Sequence, residues 1–225
     1  MKKIIPIYKE KGISSHGAVD KVREITGERR VGHAGTLDPE ARGVLVIAIS
    51  RESTKRLGSI IKKEKEYLAD IKLGEKSTTN DNEGKKTNIK VEKKPTEEKI
   101  KKVLKSFKGV INQRPPRFSA IKINGKRAYK LARKGKEINI SERKVEIKDI
   151  KFINYKWPIL RIKVVTGPGV YIRALARDIG ERLNTGGYIK SLERTRVGDF
   201  QKKDSLTITQ FKKLWEKSHQ KEEDL

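Results

Sequence analysis

The chain contains no cysteine, which excludes disulfides, thiolate metal sites and cysteine nucleophiles together. Histidine is nearly as scarce. His16, His33 and His219 are the three present, too few for a zinc site without help from carboxylates. No HExxH or EF-hand pattern occurs, so no metal is expected. Apolar residues are 34% of the total, below the roughly 45–50% of globular proteins. No stretch reaches the ~20 apolar residues of a membrane helix, so no membrane partner is expected. The opening, MKKIIPIYKEKG, is charged like a signal peptide but lacks an apolar core and a cleavage site, which points to the cytoplasm. Long linkers and internal repeats are missing too, so one compact unit is expected.

Positive charge is what the chain has in excess. Its 55 Lys and Arg against 29 Asp and Glu leave a net charge of +26 over 225 residues. Such a surplus suits a polyanion, because each phosphate neutralised releases condensed counterions. A merely lysine-rich composition would give the same excess. The length allows one large domain or two small ones, with a core that needs no staples.

The apolar residues are well patterned. Residues 4–8 read as a short strand that Pro6 confines to a sheet edge. Ser14 and Ser15 are N-cap candidates for a helix carrying Val19, Val22 and Ile25 up to Gly27. The run 44–49 (VLVIAI) reads as a fully buried strand. Tyr67, Ala69, Ile71 and Leu73 alternate with polar residues, as in a half-buried strand. Asp81 and Gly84 signal turns in a polar stretch. Thr96 caps a helix with Ile100, Val103, Leu104 and Phe107 on one face. Asn124-Gly125 signals a hairpin or loop, before a short helix over 127–134. Strands at 144–154 and 159–166 precede a helix from Tyr171 to Leu183. Thr207 and Gln210 form a capping box for the last helix. This irregular mixture implies an α+β fold with a mainly antiparallel or mixed sheet.

Two clusters could carry chemistry. GHAGTLDPEARGVL (residues 32–45) places His33, Gly35, Thr36, Leu37, Asp38 and Arg42 in a glycine-rich loop before the buried strand. Pro39 biases Asp38 away from helical geometry. A carboxylate held there suits a nucleophile or base; an Asx-turn or helix cap is the alternative. GPGVYIRALARDIG (167–180) brings Tyr171 and Arg173 to a helix start. Arg173 is either the partner of a buried carboxylate or a surface charge. Tyr67 is either packing or a ring that stacks on an extruded base.

Several motifs agree on one family. KGISSHGAVDKVRE, GHAGTLDPEARGVL, KEYLADIKLGEKSTTNDNEG, QRPPRFSAIKINGKRAYKLARKG, GVYIRALARDIG and SLERTRVGDF resemble, in order, the motifs of the TruB family of pseudouridine synthases, over residues 3–210. The resemblance implies the pseudouridine synthase fold, a bent mixed sheet flanked by helices and loops. It implies isomerisation of uridine to pseudouridine at position 55 in the T loop of tRNA, with no cofactor. It assigns Asp38 as the catalytic aspartate and Arg173 as the arginine that pairs with it. Tyr67 becomes the tyrosine that stacks on the base, His33 a T-loop contact and Leu192 a pocket wall. Gly35, Thr36, Leu37, Arg42 and Tyr171 are expected to line the substrate site. Arg42 stands where the family has a small Ser or Thr, and Ser77 where Thr is common.

Residues 1–210 are expected to form the catalytic domain. A helix and charged tail over 211–225 are too short for the RNA-binding PUA domain of many relatives. A monomer is expected. The other readings are the catalytic subunit of a guide-RNA complex and a non-catalytic, basic RNA-binding or RNA-folding protein.

Overall fold

In the computed structural model, which describes residues 3–123, 125–135 and 138–223, the elements follow the sequence patterns closely. In chain order they are β1 (Ile4–Lys9), α1 (Ser15–Thr26), β2 (Val31–His33), β3 (Arg42–Ile49), α2 (Arg51–Lys55), α3 (Leu57–Ile61) and β4 (Lys65–Leu73). Next come β5 (Glu75–Ser77), β6 (Lys86–Asn88), α4 (Glu97–Lys105), β7 (Gly109–Gln113), β8 (Lys122–Ile123), β9 (Lys126–Arg127) and α5 (Ala128–Arg133). The chain continues through β10 (Arg143–Lys156), β11 (Ile159–Thr166), α6 (Ile172–Arg182), β12 (Gly187–Val197), β13 (Phe200–Gln201) and α7 (Ile208–Glu223). The expected Asn124-Gly125 turn falls between β8 and β9, with Asn124 outside the described residues.

The lack of linkers and repeats suggested one compact unit, but the contacts divide the chain into two: residues 1–67 with 192–225, and residues 68–191. The division falls inside β4 and β12, so no linker marks it in the sequence.

In the first unit β1 pairs antiparallel with β3, and Ile4 to Lys9 lie opposite Ala48 to Gly43. β12 joins the other side of β3 in parallel, with Glu193 beside Arg42 and Arg194 beside Gly43. β3 is apolar from Val44 to Ile49 because both its faces are covered there. Leu45, Ile47 and Ile49 pack with Val19 and Val22 of α1 and Phe211 of α7. Val44, Val46 and Ala48 pack with Leu57 and Ile60 of α3. Ser14 caps α1 through the Gly17 N–H, and Gly27 closes it in the left-handed conformation. At α7 the Gln210 side chain accepts from the Thr207 N–H while Thr207 Oγ1 accepts from the Gln210 N–H, the reciprocal capping box read from sequence.

In the second unit the strand order is β12-β4-β11-β10-β7. β10 pairs antiparallel with both β11 and β7. Amphipathic α6 buries Ile172, Leu175 and Ile179, and α4 buries Ile100 and Leu104. Gly180 permits a close approach: a Cβ there would lie 2.3 Å from the Gly186 backbone. β7 and β12 were not evident from periodicity. The fold is α+β with a mixed, mostly antiparallel sheet, as expected.

Candidate active site

The loop between β2 and β3 carries Asp38, and its backbone is tied down on both sides of that residue. Ser15, 2% exposed, donates its hydroxyl to the Leu37 carbonyl at 2.9 Å and accepts from the Leu37 N–H at 2.8 Å. On the other side the Pro39 carbonyl accepts from the Gly12 N–H at 2.9 Å and from Lys9 Nζ at 3.3 Å. The Asp38 carbonyl accepts from the Ala41 N–H at 3.1 Å, closing the turn. Upstream, Ala34 N–H donates to the Val46 carbonyl. Arg194 donates from Nη2 to the Gly35 carbonyl at 3.0 Å and from Nε to the Val44 carbonyl at 2.8 Å. The carboxylate therefore rides on a fixed frame, which a reacting group needs.

That frame is unusually cationic for an interior. Lys9, fully buried, gives its ammonium to the carbonyls of Glu10, Ile13 and Pro39. Burial pushes it down to about 8, with Arg194 adding to the fall and the Asp38 charge opposing it. Lys65, donating to the Ile61 and Lys63 carbonyls, falls to about 8 through burial and then Arg194. Gly43, at φ +112°, is forced: a Cβ there would stand 2.2 Å from the Arg194 carbonyl oxygen.

Around this loop the first unit places several expected site residues. Gly35, at φ +89°, gives its carbonyl to Arg194, Leu37 is buried, and Thr36 is exposed. His33 lies on β2 with its ring edge-on to His16, centroids 5.5 Å apart. Burial pushes its imidazole down to about 4, with His16 and Arg194 adding and the Gly35 backbone opposing. Arg42 is exposed and stands 3.9 Å from Glu193, which also accepts from Tyr8 Oη and Lys202 Nζ at 2.7 Å each. Burial, then the bond to Glu193, pushes the Tyr8 phenol up to about 12. Tyr67 is 6% exposed on β4, and Leu192 is 9% exposed on β12.

Arg173 and Tyr171 lie in the second unit. Arg173 is 7% exposed, so the surface-charge alternative does not hold. It donates to the carbonyls of Thr79 at 3.1 Å and Phe118 at 3.0 Å, and it pairs with Asp81 at 3.4 Å. Asp81 accepts from the Thr79 hydroxyl and from the Glu83 N–H. Lys86 donates to the carbonyls of Asp81, Asn82 and Gly84, with its ammonium 4.7 Å from the centre of the Tyr188 ring. Tyr171 caps α6, and the buried Gln113 side chain bonds both its N–H and its carbonyl. Arg177 pairs with its neighbour Asp178.

The chain resembles known proteins over nearly its whole length. The model of the TruB family pseudouridylate synthase N-terminal domain matches residues 23–172. That of the tRNA pseudouridylate synthase B C-terminal domain matches 173–225. The chain belongs to the TruB family of pseudouridylate synthases. Among TruB relatives, the tRNA pseudouridine synthase B of Listeria monocytogenes is 40% identical over 224 residues, covering 97% of this chain and 73% of the relative. That of Ehrlichia chaffeensis is 41% identical over 216 residues, covering 95% and 72%. Among solved structures, a chain of a Cbf5-Nop10-Gar1 complex superposes with a TM-score of 0.74 at 27% identity. It covers 93% of this chain, which spans about half (53%) of that one. The TruB motifs hold Asp38, Tyr67 and Arg173, but sequence reasoning missed what supports them. Ser15 looked like a helix cap, yet Ser14 is the cap and Ser15 brackets Leu37. Asp81 looked like a turn residue. Lys9, Lys65 and Arg194 gave no signal, because charged residues read as surface.

Proposed function

We propose that this chain isomerises uridine to pseudouridine at position 55 in the T loop of tRNA, with Asp38 as the catalytic carboxylate. The observation that carries this reading is the tethering of the Asp38 loop by Ser15, Lys9, Gly12 and Arg194. A loop that merely turned the chain would not need a buried cation on each side of one exposed-facing turn.

The chemistry breaks the N1–C1′ bond and makes a C5–C1′ bond. The C5 proton leaves and N1 ends with one, so atoms balance without a cosubstrate. The Asp38 carboxylate acts on the nucleoside at C1′ or C6, or promotes a glycal. Tyr67 stacks on the uracil and assists loss of the C5 proton. Arg173 takes the charge-stabilising role that the family resemblance gives it. Reaching the base requires flipping it out of its stack, at a cost of a few kcal/mol. His33, Leu192 and the Gly35–Leu37 turn are assigned to holding it. Arg42, where relatives carry a small residue, is assigned to an RNA phosphate. The protein acts as a cytoplasmic monomer on the T arm.

Asp38→Asn decides the central claim. It is expected to abolish pseudouridine formation on an unmodified tRNA transcript while leaving tRNA affinity nearly unchanged. Equal collapse of binding would make Asp38 structural. A folded wild-type protein that leaves the T-loop uridine unmodified would overturn the reading.

A further inference from the structure

The first unit holds a concavity that this reaction does not use. It is a hollow of about 460 Å³, within the usual size of small-ligand sites. Three cations, Lys3, Arg56 and Lys63, two hydroxyls, Ser53 and Ser59, and one carboxylate, Asp199, line it. The side chains of Lys3 and Arg56 have no hydrogen bond or ion pair among the described residues. Lys63 is paired at 3.4 Å with Asp199, which is 90% exposed, a contact worth little in water. The hollow therefore gathers positive charge that the protein itself leaves largely uncompensated.

Its polar groups are held in place. The Lys63 stem packs on Gly198, where a Cβ would come within 3.1 Å of three of its carbons. Ser59 Oγ spends its proton on the Arg56 carbonyl, whereas Ser53 accepts from Ser50 and keeps its own proton to donate. Ser53 is 8% exposed, and its one side-chain hydroxyl contact among the described residues is with Ser50 Oγ. Beside them lies an apolar floor of Ile4, Ile60 and Phe200, part of and packed on the small core that includes Ala34 and Val46. Cations and hydroxyls next to a flat apolar surface suit a phosphate joined to a ring, since phosphate takes charge-assisted hydrogen bonds and a base takes a stacking face.

We propose that this hollow binds a nucleotide unit, with its phosphate on Lys3, Arg56 and the Ser53 hydroxyl and its base or ribose on the Ile4–Phe200 floor. RNA and a free mononucleotide share that chemistry. The position favours RNA. Ile4 and Lys9 mark opposite ends of the β1–β3 ladder, so the hollow lies on the order of 17 Å along the strands from the Asp38 loop. A tRNA engaged at Asp38 can reach it with a segment outside the modified loop. That choice rests on the proposed tRNA substrate.

The test compares two full-length variants with the same loss of charge: Lys3→Gln with Arg56→Gln, and Lys212→Gln with Lys213→Gln on α7. tRNA affinity is measured over a salt series. The hollow variant should bind about tenfold more weakly than the control, with a log–log salt slope shallower by about 1.4–1.8. Its turnover at saturating tRNA should be unchanged, and Lys3→Arg with Arg56→Lys should restore affinity. Uridine 5′-monophosphate is titrated in parallel, watching the NMR signals of Ile4, Ile60 and Phe200. Shifts there that vanish in the hollow variant, with tRNA affinity equal to the control's, assign the site to a free nucleotide. Affinity equal to the control's and no shifts overturn the site. Failure of wild type to form pseudouridine instead overturns the function, and is read separately.

Discussion

Among the described residues the buried His33 Nδ1 has no hydrogen-bond partner, and its imidazole is pushed down to about 4 by burial, His16 and Arg194. The folded state therefore binds fewer protons than the unfolded chain between about pH 6.5 and about 4. Stability from this residue is full above pH 6.5 and is lost as pH falls through that window. Urea titrations of wild type and His33→Asn should show the difference in stability shifting against wild type as pH drops from 6.5 to 4, then levelling. A difference that stays flat would mean His33 titrates normally. At this scale the sequence was partly legible. Asp38, Tyr67 and Arg173 stand in motifs that the sequence shows plainly. Lys9 and Arg194 did not, because a buried cation is recognisable only once the carbonyls around it are placed, and those come from residues as distant as Gly35 and Val44.

β3 shows how an element can be fully legible while its neighbour is not. Its apolar run declares burial on both faces, and the helices α1 and α3 supply that burial. β12 lies beside it and went unread, since Ser191-Leu192-Glu193-Arg194-Thr195-Arg196 breaks any alternation. Its buried charges are paired instead: Glu193 with Tyr8 and Lys202, Arg194 with two carbonyls. Periodicity assumes that buried means apolar, and this strand violates the assumption next to the candidate site, where such violations concentrate. The two strands meet at Gly43. Gly43→Ala would force a positive φ on a side chain already 2.2 Å from the Arg194 carbonyl. It should cost at least about 3 kcal/mol, measured as a lower urea midpoint. A loss under about 0.5 kcal/mol, the range of neutral surface changes, would contradict the close approach.

Across the whole molecule the net charge of +26 is the dominant quantity. tRNA affinity should fall at least about a hundredfold between 50 and 200 mM salt, because several phosphate contacts each release counterions. A flat response would show that the lysine excess has little to do with RNA. The division into units was not legible, for it runs through two strands and leaves no linker. It also has a temporal side. Residues 68–191 are a continuous stretch, whereas the unit holding Asp38 is split and closes only with residues 192–225. The Arg194 guanidinium that holds Gly35 lies 159 residues downstream of it. On the ribosome, the continuous stretch can therefore fold as soon as it emerges, while the Asp38 loop waits for its clamp. The frame around Asp38 is therefore among the last parts of the molecule to be completed.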